Sequence, residues 1–395
     1  MASAPTFAIV AGESSSDTLA AGLMLQLRHD WPDARFIGVT GPAMRAAGCD
    51  SLADIDDLSL FGIGEVVAQL PRLLRFRARL ERDISAADPS VFIGVDAPAL
   101  NLGLAGRFKL RGVATVQYVA PTAWAWHQGR TRKIRRAIDL LLVIFPFEPA
   151  FFARFGINAR FVGHPLKDRF DGYDNKHTAR SALDLTAEAK VVAVLPGSRR
   201  GEVERLAPRF VAAVRRVTEA HGPLTLLIPV AHSGLWQLLQ HVASNAQQPG
   251  QEHLDVRLID GDASTVLQAA DVALVASGTA TLEAVMADTP MVVAYRISLI
   301  NGLIVRLFRL IHTPYVSMPN LLAGSAVVPE YLQGAASVAA LAKALGDLLD
   351  DPSRAEEQRR MFATIREKLG GETDQRAAEA VAELVEAHQS NRPLP

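Results

Sequence analysis

Cysteine is almost missing from these 395 residues. Cys49 stands alone, so no disulfide can form within the chain, and a reducing compartment suits it. It sits in "RAAGCDSL" with no histidine nearby and reads as a buried structural thiol rather than a nucleophile. An excess of one charge is missing too. With 41 basic and 42 acidic residues the formal net charge is −1, which argues against the strongly basic surface of a general nucleic-acid binder. No apolar run reaches the roughly 18 residues of a membrane span. The nearest, "ISLINGLIVRLFRLI", is broken by Arg306 and Arg309. The start, "MASAPTFAIV", has no basic segment ahead of a long apolar one, so no signal peptide is expected. What remains is an ordinary globular balance, 49% apolar and 21% charged, in a chain long enough for two domains.

Apolar runs and helical periods alternate along most of the chain. "TFAIVAG", "ARFIGVT", "SVFIGVDA", "ATVQYVA", "LLLVIFP" and "ARFVGH" read as strands, with helices at 17–29, 65–87, 128–138 and 147–155. Strands buried on both faces read as continuous Val/Ile/Leu runs, because helices cover each side of a parallel sheet. The stretch 167–188, "KDRFDGYDNKHTARSALDLTAE", is polar and marks a hinge. A second alternation follows: "VVAVLPG", "LTLLIPV", "DVRLID", "DVALVAS" and "MVVAYR". The expectation is an α/β chain of two doubly wound Rossmann-like domains facing a cleft, the GT-B arrangement of many nucleotide-sugar glycosyltransferases. The domains are placed at 1–168 and 169–365, with 366–395 a C-terminal helix packing back on the first.

Two strand-to-helix turns in the second domain suit a nucleotide. In "VVAVLPGSRRGEVERL", Gly197 permits a sharp turn, while Ser198 and Arg199 sit where a helix N-terminus offers N–H donors to an anion. Arg199 adds a planar cationic fork suited to phosphate oxygens; a Ser-capped helix with solvated arginines is the plainer alternative. In "DVALVASGTATLEAVMA", residues 271–287, Ser277, Gly278 and Thr279 form a turn that a pyrophosphate can approach. Glu283 lies one helical turn after Thr279, where a carboxylate can accept bonds from both ribose hydroxyls or simply favour a helix N-terminus. The non-periodic stretch "YVSMPNLLAGSAVVPEYLQ", residues 315–333, places Asn320 where it could meet a base or pyrophosphate.

In the first domain, "IVAGESSSDTLAAGLM" puts Glu13 and Ser15 in a polar loop after the first strand, assigned to the acceptor side. "GVDAPALN" puts Asp96 at the carboxyl end of a strand, where it could serve as a general base or cap the next helix. "YVAPTAWAWHQGRTRKIRRAIDLLLVIFPFE" sets Trp124 and Trp126 in a Pro-bounded loop ahead of Arg130, Arg132, Lys133, Arg135 and Arg136. Core packing and a solvated face explain these separately; a bulky anionic acceptor explains them together. In "GIGEVVAQLPRLLRFRARLERD", residues 62–83, Val67, Leu70, Leu73 and Leu74 share an apolar face among arginines. Pro71 there predicts a kink or a second helix start.

Nine segments in order, "AGESSSD", "GIGEVV", "GVDAPALN", "YVAPTAWAWHQGR", "FPFE", "FVGHPL", "LPGSRRGEV", "ASGTATLE" and "VSMPNLLAG", resemble the lipid A disaccharide synthases of Gram-negative bacteria. The resemblance implies an inverting, metal-independent transferase. It would move 2,3-diacylglucosamine from UDP to the 6-hydroxyl of 2,3-diacylglucosamine 1-phosphate, with UDP the carrier and product and no further cofactor. Asp96 would be the base, Ser198 and Arg199 would hold phosphate, and Ser277, Gly278, Thr279, Glu283 and Asn320 would bind UDP. Diacylated substrates imply a peripheral enzyme on the cytoplasmic face of the inner membrane, with Val67, Leu70, Leu73 and Leu74 on the lipid side. Oligomeric state is left open. Two departures stand out: the family loop AGEASGD has Ala and Gly where Ser14 and Ser16 stand, and its WAW is commonly followed by Arg where His127 stands. Another UDP-GlcNAc enzyme of the same fold (a 2-epimerase or the peptidoglycan GlcNAc transferase) and a non-catalytic nucleotide-sugar sensor are the alternatives.

Overall fold

The computed structural model describes residues 4–59, 66–124, 129–170, 176–246, 254–296 and 315–390. Each apolar run takes the extended form its β-branched residues favour, and the central strands are buried on both faces. In the first unit the strands are β1 (Thr6–Ala11), β2 (Arg35–Thr40), β3 (Asp50–Asp54), β4 (Val91–Val95), β5 (Ala114–Tyr118), β6 (Leu140–Val143) and β7 (Ala159–Phe161). All pair in parallel, in the order β3-β2-β1-β4-β5-β6-β7. In the second they are β8 (Val191–Leu195), β9 (Leu224–Val230), β10 (Leu254–Asp260), β11 (Val272–Ala276), β12 (Met291–Tyr295) and β13 (Glu330–Leu332), parallel again, in the order β10-β9-β8-β11-β12-β13. Each unit is a Rossmann-like domain. The strands β3 and β13 were not foreseen: "DSLAD" and "EYL" are short, polar edge segments whose pairing comes from the neighbouring strand rather than from their own pattern.

One unit comprises Met1–Asp168 with Leu369–Pro395, the other Arg169–Lys368. The return to the first unit falls at Leu369 rather than 366 because Arg366 is held in the second. Its Nη1 donates to Val285 O at 2.8 Å and to Asp288 Oδ1 at 2.7 Å. The helix Thr373–Ser390 lies against the helix Ser14–Asp30 and strands β5 and β6, with Ala377, Val381 and Val385 in the first core. Asp168 caps its start, accepting from Glu372 N at 2.7 Å and Thr373 N at 2.9 Å.

The segment around Pro71 forms one helix, Val66–Ala86, not two: the helix begins early enough for Pro71 to lie in its second turn. Leu80 and Ile84 enter the core, whereas Leu74 is 54% exposed. The side chains of Val67, Leu70 and Leu73 lie outside the described residues, as does Trp126.

At the amino end of β8 the second unit holds an ion pair between a buried arginine and a half-buried aspartate. Arg180, only 6% exposed, donates through Nη2 to both oxygens of Asp271 at 3.1 Å and through Nε to Ala269 O at 3.0 Å. Asp271 also accepts from Val191 N at 2.8 Å, so the pair pins the sheet to the helix Lys176–Ala182. Arg180→Ala is expected to cost about 2–3 kcal/mol, below the range for a fully buried pair because Asp271 is partly exposed and Lys176 still faces it. Urea unfolding measures it, and a loss below about 1 kcal/mol would return the pair to the class of surface bridges.

Candidate active site

Strand order reverses between β1 and β4 in the first unit and between β8 and β11 in the second. Loops diverge at such a reversal and leave a crevice beyond the carboxyl ends, where open α/β sheets bind ligands. The turns after these four strands carry most of the candidate polar residues.

Glu13 follows β1 and precedes the helix Ser14–Asp30. Its side chain accepts from the N–H of Ser16, and Ser16 Oγ accepts from Glu13 N at 2.9 Å and Gly12 N at 3.2 Å. This reciprocal cap satisfies donors that the helix start would leave unpaired. Ser15 Oγ donates to Glu13 Oε1 at 2.6 Å. Ser16 is helical and buried, so no left-handed backbone is needed where the family loop carries glycine, and its hydroxyl closes the turn.

Asp96 leaves β4 with φ of +51°, and Ala97 follows at +41°. Two successive left-handed residues other than glycine cost about 1–2 kcal/mol each, and such strain collects at functional sites. Burial pushes the half-buried Asp96 carboxyl above its usual range, the charge of Glu13 pushes it further, and the Ala97 N–H works against both. A carboxylate held this way is a stronger base than a free one.

In the second unit, a cavity of about 280 Å³ is lined by Pro196–Ser198, Ser277–Thr279, Glu283 and Glu202, with Pro229 and Gly261 behind. Gly197 turns at φ +110°, and a Cβ there would stand 2.7 Å from Glu202 Oε2, so only glycine fits. The helices Arg200–His221 and Ala280–Met286 both begin at the turns that line the cavity, so the positive ends of their dipoles lie beside it. Around Gly278 nothing lies within 4 Å of where a Cβ would be, which leaves the approach open. Burial raises the Glu283 carboxyl, with Arg169 partly opposing, and Glu283 accepts no side-chain hydrogen bond from a described residue. Arg199 does not line the cavity. Its exposed guanidinium reaches Glu202 Oε1 at 3.5 Å, a weak ion pair that an entering anion could replace. Glu202 was not singled out from sequence.

Asn320 does not offer its side chain to a ligand. It is 1% exposed, donates to Val328 O at 2.9 Å and Glu330 Oε1 at 2.8 Å, and accepts from Val327 N and Val328 N at 2.7 and 2.9 Å. All four bonding positions of the amide are spent within the loop. Glu330 gathers the same loop by accepting from Val316 N, Ser317 N and Ser317 Oγ. Ser277 Oγ donates to Val316 O at 2.8 Å, which ties the loop to the wall of the cavity.

Trp124 is committed in a similar way. Its indole N–H donates to Glu148 Oε1 at 3.1 Å, and its ring meets Phe145 and Phe147 edge-on at 6.4 and 5.1 Å. Glu148 is buried, and burial lifts its carboxyl to about 7 against the pull of the Phe145 N–H, Trp124 and the Ile144 N–H. This acid, present in "FPFE" but assigned no role from sequence, anchors the loop after β5 to the loop after β6. Arg130, Arg132, Lys133, Arg135 and Arg136 form the exposed face of the helix Arg130–Ala137, over buried Thr131, Ile134 and Ala137.

Glu283→Ala is expected to weaken UDP binding by about 1.5–3 kcal/mol, the worth of hydrogen bonds to a charged group. It should change the melting temperature little, because among the described residues the carboxylate has no hydrogen-bond partner to lose and only the distant pull of Arg169 acts on it. Calorimetry with UDP and a thermal melt check this; an unaltered Kd with a lowered Tm would make Glu283 a helix-end acid only.

A family model described as "Lipid-A-disaccharide synthetase" matches residues 7–385. The lipid-A-disaccharide synthase of Azotobacter vinelandii is 45% identical, covering 98% of this chain and 100% of its own length. That of Pseudomonas aeruginosa is 44% identical with the same coverage. Among solved structures, the UDP-GlcNAc 2-epimerase from Neisseria meningitidis bound to UDP-GlcNAc aligns with TM-score 0.65 at 11% identity, covering 97% of this chain and 100% of that one. A glycosyltransferase from Rickettsia africae aligns with TM-score 0.59 at 8% identity, covering 99% and 100%. At such identities the solved structures show the fold alone. The match over nearly the whole chain and the relatives' identity together show that the chain belongs to the lipid-A-disaccharide synthetase family.

Proposed function

We propose that the chain transfers 2,3-diacylglucosamine from UDP to the 6-hydroxyl of 2,3-diacylglucosamine 1-phosphate, giving the β-1,6-linked disaccharide 1-phosphate and UDP. The observation that carries this reading is the cavity at the β8/β11 reversal, where two helix starts meet Glu283, a half-buried carboxylate with no hydrogen-bond partner among the described residues. The uracil nucleotide would sit there, with the ribose hydroxyls on Glu283. The diphosphate would lie against the Pro196–Ser198 and Ser277–Thr279 turns. The helix starts and Arg199 would meet the charge that develops on it as the glycosidic bond breaks, and the reading assigns no metal ion a part. Asp96 would take the proton from the acceptor hydroxyl as that oxygen attacks the anomeric carbon from the face opposite UDP, which inverts the configuration. Incubation with both substrates should yield UDP and disaccharide; an epimerised sugar nucleotide, or binding without turnover, would overturn the reading.

A raised carboxyl pKa makes the base available only above it, so kcat/KM should fall as pH drops through the Asp96 pKa. Glu13→Gln removes the neighbouring like charge, lowers that pKa and should move the acid limb to lower pH. Asp96→Ala should reduce kcat by ~10²–10⁴-fold while UDP binding persists. A limb that stays in place in Glu13→Gln, or activity within a few-fold in Asp96→Ala, would remove Asp96 as the base.

Acylated substrates call for contact with a lipid surface, and we infer that the helix Val66–Ala86 supplies it. Among the described residues no helix is long and apolar enough to cross a membrane. Leu74, Pro71 and Arg75 are exposed on the half of this helix that precedes the core-facing Leu80 and Ile84. An apolar face flanked by arginines suits the interface of an anionic bilayer, at ~1 kcal/mol per basic residue. Replacing Leu70, Leu73 and Leu74 together by Ser should move the protein from the membrane pellet to the soluble fraction with little change in Tm. A large stability loss with unchanged partitioning would instead make that face part of the core.

A further inference from the structure

The turn that carries Asp96 is built around a single carbonyl. Asp96 O accepts from Asn101 Nδ2 at 2.8 Å and from Gln117 Nε2 at 2.9 Å, while Asp96 N donates to Tyr118 O at 2.8 Å. Both amide side chains are fully buried. Each also gathers strand-end carbonyls: Asn101 Nδ2 reaches Val10 O at 3.2 Å and Val95 O at 3.4 Å, and Gln117 Nε2 reaches Tyr118 O and Val119 O at 3.3 Å. The ends of β1, β4 and β5 are thus fastened around the Asp96–Ala97 peptide.

The surroundings are shaped to admit this clamp. A Cβ on Gly94 would stand 2.6 Å from Asn101 Cβ and 3.0 Å from Gln117 Oε1, and one on Gly12 would stand 2.4 Å from Ala97 Cβ. Asn101 Oδ1 and Gln117 Oε1 accept no hydrogen bond from any described group. Each amide donates to carbonyls at the strand ends while its own buried oxygen goes unpaired, a cost that a side chain retained for packing alone would not carry. Where a local rule is broken in this way, function is the usual beneficiary. The left-handed backbone of Asp96 and Ala97 persists because donors converge on the one carbonyl, and that backbone sets the direction of the Asp96 side chain.

We propose that Asn101 and Gln117 are positioning residues that hold Asp96 in its left-handed conformation and so aim its carboxylate at the acceptor hydroxyl. The proposal rests on the reading of Asp96 as the base. A displacement of about 1 Å is enough to cost ~10²-fold in rate, whereas substrate affinity should change little.

The test is Gln117→Met, which keeps the volume and removes the donor, alongside Gln117→His, which keeps a ring N–H donor. In folded protein Gln117→Met should lower kcat about 10–100-fold, leave KM for both substrates and UDP affinity within twofold, and shift the acid limb of the pH profile. Gln117→His should recover much of the rate. Ala97→Gly added to Gln117→Met separates positioning from stability, because glycine takes the left-handed backbone without strain and should restore Tm but not kcat. Unchanged kcat in Gln117→Met, or kcat recovering with Tm in the double variant, would overturn the proposal and leave the clamp a purely structural one. A fully active Asp96→Ala would be the distinct failure of the base assignment and would take the proposal with it.

Discussion

A sheet buried on both faces leaves polar chemistry only its edges and the ends of its strands, and this constraint organises both units. β4, β8 and β11 have no exposed residue, so no functional group can stand on them. Because every strand runs parallel, all the carboxyl ends of a sheet emerge on one side, and the turns there carry Glu13, Asp96, Pro196–Ser198 and Ser277–Thr279. Where strand order reverses, the helices that follow leave to opposite faces, and the gap between them is the space a ligand can fill.

Within those turns the polar residues divide by whether their bonds are spent. Asn320, Glu330, Glu148 and Ser16 are satisfied by the chain itself and hold loops in shape. Glu283 and Arg199 are held loosely or not at all, and Asp96 keeps its carboxylate while its backbone is fastened from several sides. Burial without a partner costs free energy that a stabilising residue would not incur. Glu283 is left in that condition among the described residues, while Arg199 is exposed and only weakly paired; both are groups a ligand can satisfy. This distinction separates scaffold from chemistry more sharply than residue type does, since Glu330 and Glu283 are the same residue in opposite situations.

The two departures from the family pattern differ in what they touch. Ser16 replaces a glycine at a helical position and uses its hydroxyl to close the cap around Glu13, so the loop keeps its form by a different bond. His127 lies outside the described residues. Its neighbour Trp124 is fixed by Glu148, so the root of that loop is held by a buried carboxylate whatever follows it.

Periodicity, glycines at strand ends and the order of short motifs were enough to read two α/β domains, the turns at 196–199 and 277–279, and Asp96 at the end of β4. These are local properties: a run of β-branched residues codes for a buried strand, and a small polar turn after it codes for the crevice. β3 and β13 escaped because their pairing is supplied by a neighbour. The partners of the Asn320 and Trp124 side chains were not legible because hydrogen-bond commitment is not local; they lie 10 and 24 residues away. Glu202 at the cavity and the amide of Gln117 beneath Asp96 were equally silent in sequence. A side chain's chemistry is written in its identity, but whether its bonding capacity is free is decided only when distant strands bring the partners together.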